Sequence, residues 1–446
     1  MNPPPAPGSV TRRGVLRTAA WGMGAAGLGS LASCASGSGD DIAFWHFIVP
    51  GTPNYDKWLL PLIKDFNARH KVKVRERYIP FGDYANGPTL QTAFSAGDGP
   101  DVFMLSPGDF VRYYNANALA DLTPHLSDAV RADYEPAALA SRTFNDRVYG
   151  LPMEAEPLAL FYSHKAFEAA NLSEGDLPKT WDELLDVAQK LTGADRFGLG
   201  LETSPGYYQN FTWYPFMWMG GGSPIASDQI HSTFDSKAAT AALRLWQQTI
   251  DLGVAPTKLR GGGGTDTRSN LLTGFCAMQQ TGIWAVGEMK LNAPKFEYGV
   301  LPLPTPPGGK QLTVAGGWAL AANAKGSKPD AAAQFITYAL GSEDPACVKR
   351  GRLWNTVIKK NLPVRKSVRD LARRKGDFDD PIYQQFLKDI APTAKGEPRY
   401  PVEIYRAISD ALQACQLDGA NVKDAAADAS EQIATFLSDY KGGSIL

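Results

Sequence analysis

Apolar and polar residues recur with two different periods along the chain, and the switches between them mark its elements. Ile42 to Phe47 is a short apolar run closed by Pro50 and Gly51, the pattern of a buried strand. Tyr55, Trp58, Leu59, Leu62, Ile63 and Phe66 then recur every three or four positions, which predicts an amphipathic helix. Val72 to Tyr78 alternates like a strand with one wet face. Gln91 to Ala96 reads as the end of a helix, Gly97-Asp98-Gly99-Pro100 as a turn, and Asp101 to Leu105 as a short core strand. Strand, helix, strand, helix, strand predicts a mostly parallel α/β sheet. Ligands of such sheets bind beyond the carboxyl ends of the strands, which directs attention to Trp45, His46, Ser106 and Asp109.

The pattern then breaks at Val148-Tyr149-Gly150-Leu151-Pro152-Met153-Glu154-Ala155-Glu156-Pro157, followed by the apolar run Leu158 to Tyr162. Pro152 fixes its own φ and holds Leu151 extended, while Gly150 permits a bend. This predicts a stiff connector between two lobes with an acid at the crossing. Glu154 and Glu156, two apart on an extended segment, are expected on opposite faces. Further on, Thr180-Trp181-Asp182-Glu183 is a capping box opening a helix through Leu191. Phe197 to Leu201 predicts a strand. Tyr207, Tyr208, Phe211, Trp213, Tyr214, Phe216 and Trp218 form the densest aromatic segment. Phe234-Asp235 begins another helix, and Gly261 to Gly264 reads as a mobile loop. Ala277 to Trp284 reads as a strand and turn that deliver a tryptophan. Tyr298 to Pro304 is a second proline-stiffened segment leading to Thr313 and Trp318, and Arg352 to Pro363 is a third connector. From Ile382 to Leu437 the pattern is helical.

The first residues follow none of these periods. Arg12-Arg13 precede a mild Ala/Gly-rich apolar run and then Leu31-Ala32-Ser33-Cys34, which together read as a twin-arginine export signal ending in a lipobox. Cys34 is the expected lipidation site, with 35–39 as a flexible tether. Removing residues 1–33 takes away three arginines and no acids, so the net charge of −1 becomes −4. That balance argues against nucleic acid or a polybasic membrane patch as partner. With Cys34 acylated, Cys276, Cys347 and Cys415 remain, so at most one disulfide can form. Cys347 with Cys415, both in the helical C-terminal part, is the favoured pair. No metal or cofactor is expected: no Cys/His spacing suits zinc, and Gly261 to Gly264 lacks the lysine of a phosphate-binding loop.

Taken in order, several of these motifs carry a resemblance. Gly99-Pro100-Asp101-Val102-Phe103, Tyr149 to Glu154, Thr180 to Leu184, Ala277-Met278 with Gly282 and Trp284, Tyr298-Gly299-Val300 with Pro302-Leu303-Pro304, Gly316-Gly317-Trp318 and Leu362 to Arg365 make up the set. The chain resembles the extracellular solute-binding proteins of bacterial ABC sugar importers, the maltose-binding-protein-like group. The resemblance implies an α/β, two-lobe periplasmic-binding-protein-like (type II) fold with hinge crossings near 148–157, 301–314 and 353–363. It divides the mature chain into a tether (34–40), an N-terminal lobe (41–152 plus about 314–355) and a C-terminal lobe (153–313 plus about 356–446). It implies a monomer that binds carbohydrate outside the cytoplasmic membrane and delivers it to permease subunits, with the membrane touched only through the lipid.

A sugar offers an apolar C–H face and a rim of hydroxyls, so aromatic rings and carboxylates are the matching groups. Trp284 and Trp318 fall on family positions that contact sugar, and Glu154 on the crossing acid. Gly317, Trp45, Asp109, Tyr207, Tyr208 and Trp213 complete the expected ligand-binding set, with Arg352, Trp354 and Asn355 near the last crossing. Two other readings compete with this one. A glycan-active enzyme would need an acid pair flanking one bond, and the chain has neither a GxSxG nor an HExxH motif. A binding protein for another solute, such as a glycerol phosphodiester, would need clustered arginines or a glycine-rich helix start in the cleft, whose segments are aromatic and acidic instead, with Arg352 the exception.

Overall fold

The computed structural model describes residues 41–445 except residue 86. The export signal, Cys34 and the tether lie outside the described residues.

Three short strands, β1 (Ile42–His46), β2 (Val74–Tyr78) and β3 (Val102–Leu105), pair in parallel, Ile42 opposite Val74 and Phe44 opposite Val102. Between β1 and β2 runs the helix Leu60–Arg69, entered through a wide turn, Asn54–Leu59, which buries Trp58 and Leu59. β4 (Thr143–Phe144) and β5 (Arg147–Val148) form a hairpin whose Asn145 and Asp146 both take positive φ, the residues and geometry that a two-residue turn selects. β6 (Leu151–Pro152) is the edge of the first sheet, and Pro152 is tolerated there because an edge need not donate.

The remaining strands are β7 (Glu156–Ser163), β8 (Phe197–Gly200), β9 (Cys276–Gly282), β10 (Tyr298–Leu301), β11 (Thr313–Gly316), β12 (Ala319–Ala322) and β13 (Ala394–Gly396). The first sheet has the order β2-β1-β3-β12-β6, and the second β13-β11-β7-β9-β8 with β10 on β7. The two sheets are the cores of the two lobes. β7 is buried along its whole length, as its unbroken apolar run requires.

The chain changes lobe three times. Residues 153–155 carry it from β6 to β7. Gly317 and Trp318 carry it back from β11 to β12. Leu362 then bridges to Ala155 beside the first crossing. The second crossing therefore falls later than the expected 301–314: β10 and β11 both pair with β7, and the Pro306 to Gly309 turn reverses the chain within one lobe. Thr313–Gly316 accordingly belongs to the second lobe. The third crossing starts as a wide helical turn, Leu353–Lys359, rather than an extended strand.

Other expectations changed. Cys276, Cys347 and Cys415 are free, buried thiols, so the Cys347–Cys415 disulfide does not form; Cys347 instead lies 3.3 Å from an Arg365 guanidinium nitrogen. β13 interrupts the expected helical stretch, leaving Val402–Gln416 and Val422–Asp439 as its long helices. The Thr180 capping box is present: Thr180 Oγ1 accepts from the Glu183 amide, and the Glu183 carboxylate accepts from the Thr180 amide.

Candidate functional site

The crossings meet at a cluster of buried charge. Glu154 lies in the link between β6 and β7, where the alternation of a regular strand is lost. Its side chain is fully buried. One oxygen accepts from the Trp318 amide at 3.1 Å, and the other accepts the indole N–H of Trp354. Glu156, the first residue of β7, accepts from Lys359 at 2.7 Å and from the Asn361 amide group. Lys359 also lies 3.6 Å from Glu154 and 5.0 Å from the centre of the Trp354 ring. The two glutamates therefore converge on one ammonium rather than facing apart, because residues 153–155 bend from one sheet to the other. Burial alone would depress Lys359, but Glu154 and Glu156 outweigh it and hold its pKa above the ordinary lysine value. Burial also raises the Glu154 carboxyl, with Lys359 opposing.

Beside this cluster opens a cavity of about 880 Å³ lined from both lobes. The first lobe contributes Phe47, just past the carboxyl end of β1, with Phe81 and Met104. Trp318 joins them and is 9% exposed. Its ring stands edge-on to Phe47 at 4.6 Å and packs on Phe81 and Tyr84. The second lobe contributes Trp284 at the start of the helix Trp284–Asn292, and Tyr207, Tyr208 and Phe211 on the helix Tyr207–Met219. Tyr208 meets Trp284 at 6.2 Å between ring centres. Gly282 makes room for the indole: a Cβ there would lie 1.9 Å from the Trp284 ring. Gly317, at φ +128°, brings the crossing against Glu154, whose carbonyl oxygen would be 2.1 Å from an added Cβ.

Trp284, Trp318, Gly317, Tyr207 and Tyr208 thus come together on one cavity, and Arg352 and Trp354 join them. Glu154 stands behind the wall, fully engaged. Trp45 lies outside the lining, half-buried on β1 under the Arg77 guanidinium at 4.4 Å. Asp109 also lies outside it, paired with Arg112 at 3.3 Å, its carboxyl raised by burial. Trp213 is in the core against Phe234. His46 is buried in β1 with Nε2 2.8 Å from Glu76, and burial lowers its pKa. Ser106 donates to Asp109, and Asn355 donates to the Met153 carbonyl.

Sequence reasoning missed Phe47, Phe81, Phe211, Glu288 and the cations Lys57, Lys290, Lys359 and Lys360, all in the lining. Phe47 was within reach of the rule that ligands sit at strand carboxyl ends. Glu288 was within reach of helix periodicity, one turn beyond Trp284. Arg352 is held by Asp377 in a two-pronged ion pair. Lys360 takes positive φ, and burial lowers its pKa.

A lobe contact lies nearby. The Tyr207 hydroxyl donates to Glu397 at 2.9 Å, and Gly108 of the first lobe abuts both side chains. Burial pushes the Glu397 carboxyl up to about 8 against the pull of Tyr207 and Arg142.

Comparison with known proteins yields consistent matches. The family model described as bacterial extracellular solute-binding protein matches residues 50–344. An uncharacterized lipoprotein of Streptomyces antibioticus is 28% identical over 258 residues, 56% of each chain. A galactooligosaccharide-binding protein of Bacillus subtilis is 28% identical over 304 residues, 64% of this chain and 66% of that one. The chain thus spans little more than half the length of the first curated relatives it matches. Among solved structures, an ABC transporter solute-binding protein from Thermotoga lettingae bound with alpha-D-tagatose superposes with a TM-score of 0.76 at 24% identity, covering 89% of this chain and 100% of that one. UgpB of Mycobacterium tuberculosis, in complex with glycerophosphocholine, gives 0.72 at 22% identity, covering 89% and 98%. At these identities the structural likeness establishes the two-lobe fold.

Proposed function

Because the chain belongs to the bacterial extracellular solute-binding protein family, we propose that it captures a di- or oligosaccharide between its lobes and presents it to ABC permease subunits while anchored to the membrane through lipid on Cys34. One observation carries the reading: Trp284 of the second lobe and Trp318 of the crossing into the first line a single cavity with Tyr207, Tyr208 and Phe211. Indoles match the C–H face of a pyranose, and the charged lining supplies partners for hydroxyls. A ligand touching both lobes binds the closed arrangement more tightly and so favours closure. The chain acts as a binder and not as a glycan-cleaving enzyme, and chromogenic glycosides are expected to remain intact in its presence.

The test is a thermal-shift screen of residues 34–446 against mono-, di- and oligosaccharides. A ligand at 100 times its dissociation constant adds about 2.7 kcal/mol of stability. No shift with any sugar would overturn the reading.

The alternative of a glycerol phosphodiester is favoured by Lys57, Arg352 and Lys360 in the lining and by the ligand bound to UgpB. Glycerophosphodiesters therefore belong in the same screen. A shift with these and none with sugars would select it.

A further inference from the structure

The sugar-binding reading leaves one lining group unused, and the following rests on that reading. Trp284 and Glu288 are four residues apart on one helix, and both line the cavity. Residues at that spacing lie one above the other on the same helix face. The carboxylate thus stands directly beside the indole most open to the cleft. Glu288 has no hydrogen bond or ion pair among the described residues. The other acids of the lining are engaged: Glu156 by Lys359 and Asn361, and Asp377 by Arg352 and Thr356.

The groups facing Glu288 come from four elements. Glu156 on β7 and Asp266 beyond the Gly261 to Gly264 loop repel its charge, Lys359 on the third crossing attracts it, and Tyr208 faces it from its own helix. Lys359 is already shared between Glu154 and Glu156. The buried Arg142 is directed at Glu397, Glu154 and Glu156 and at the Gly317 carbonyl. Glu154, Glu156, Asp266 and Glu288 therefore outnumber the cations near them. Glu288 is exposed to the cleft, yet partial desolvation of its carboxyl, with repulsion from Asp266 and Glu156, pushes it up to about 7. Lys359 relieves this only in part, being shared with Glu154 and Glu156.

We infer that Glu288 is a specificity-determining residue that receives a protonated amine on the bound sugar, so that the cleft prefers amino sugars to their hydroxyl counterparts. An ammonium there would hydrogen-bond the carboxylate and lie near the Trp284 ring face, two contacts that a hydroxyl at the same carbon makes more weakly. An N-acetyl group, being neutral, would gain neither.

The experiment is calorimetry on residues 34–446 with glucosamine, galactosamine and the β-1,4-linked glucosamine disaccharide, each paired with its hydroxyl parent and its N-acetyl derivative. The expected result is an amine-to-hydroxyl affinity ratio of at least about tenfold for one pair. In Glu288→Gln that ratio should fall to about one, and in Glu288→Asp it should be partly kept. The unliganded melting temperature of each variant separates misfolding from lost preference. Hydroxyl sugars binding as well as amino sugars would overturn this inference and leave the sugar reading standing. A ratio unchanged in Glu288→Gln would also overturn it. Binding of no sugar of any class would overturn both.

Discussion

The carboxylate of Glu154 accepts the indole N–H of Trp354, two hundred residues further along the chain, and so ties the first crossing to the third. Its other oxygen takes the amide of Trp318 and ties in the second. Glu154 is thus the fastening of the hinge, and its substitution should act on stability before it acts on ligand. Glutamine keeps one acceptor and turns an N–H toward one of the two donors. It also removes half of the charge facing Lys359. Glu154→Gln should lower the unfolding free energy by about 1–3 kcal/mol, measured by denaturant titration. Unchanged stability with a tenfold affinity loss would return Glu154 to the ligand.

The two cleft tryptophans should separate cleanly. Trp284 is half-buried at the start of its helix, so Trp284→Ala removes a platform while leaving the core intact. It should weaken sugar binding at least tenfold, about 1.4 kcal/mol, with little change in melting temperature. Trp318 packs on Phe47, Phe81 and Tyr84. Trp318→Ala should therefore weaken binding and also cost about 3–5 kcal/mol of stability. Calorimetry and thermal melts on both variants check the contrast. Equal losses of stability in the two would contradict the difference in their packing.

How far the sequence could be read follows from the range of the interactions involved. Gly150, Pro152 and the apolar run of β7 act on their own neighbours, so the first crossing was visible in one short stretch. The capping box at Thr180 was visible for the same reason. The partners of Glu154 are not: strand period puts Glu154 and Glu156 on opposite faces, but the bend at 153–155 and Lys359, some two hundred residues away, bring them together. Trp45 was directed at the cleft by its strand, yet Arg77 on β2 covers it instead. The position of the second crossing turned on whether Thr313–Gly316 pairs with β7, a contact that no local pattern encodes. The aromatic segment could be recognised as important, but only the helix phase decides that Tyr207, Tyr208 and Phe211 face the cavity while Trp213 faces Phe234.

Two buried glutamates should give the protein an unusual response to pH. Glu154 and Glu397 are both held above the ordinary glutamate value of 4.5, Glu397 at about 8, desolvation being the largest cause in each. In that range the folded state binds more protons than the unfolded state. Stability from these groups is full below about 4.5 and is lost as pH rises toward 8, by at most about 1.4 kcal/mol per pH unit for each group. Thermal melts should decline between pH 5 and 8, and Glu397→Gln should decline less steeply, since its amide oxygen can still accept from Tyr207. Parallel slopes for the two proteins would place the Glu397 carboxyl in its ordinary range.

Gly282 has no side chain, yet it sets where the Trp284 ring can lie. A methyl group at position 282 would lie 1.9 Å from the six-membered ring of Trp284, and the nearest contacts are all to that ring. The backbone itself is not the obstacle, because residue 282 sits in an ordinary strand at the end of β9. The indole must therefore swing away from where it lines the cavity, while the chain around it keeps its pairing with Leu158. Gly282→Ala should weaken sugar binding about as much as Trp284→Ala does, though the tryptophan is still present. Its fluorescence should change in the unliganded protein, and the ligand-induced change should shrink. Full affinity in Gly282→Ala beside a large loss in Trp284→Ala would mean that Trp284 holds the ligand from a different ring position.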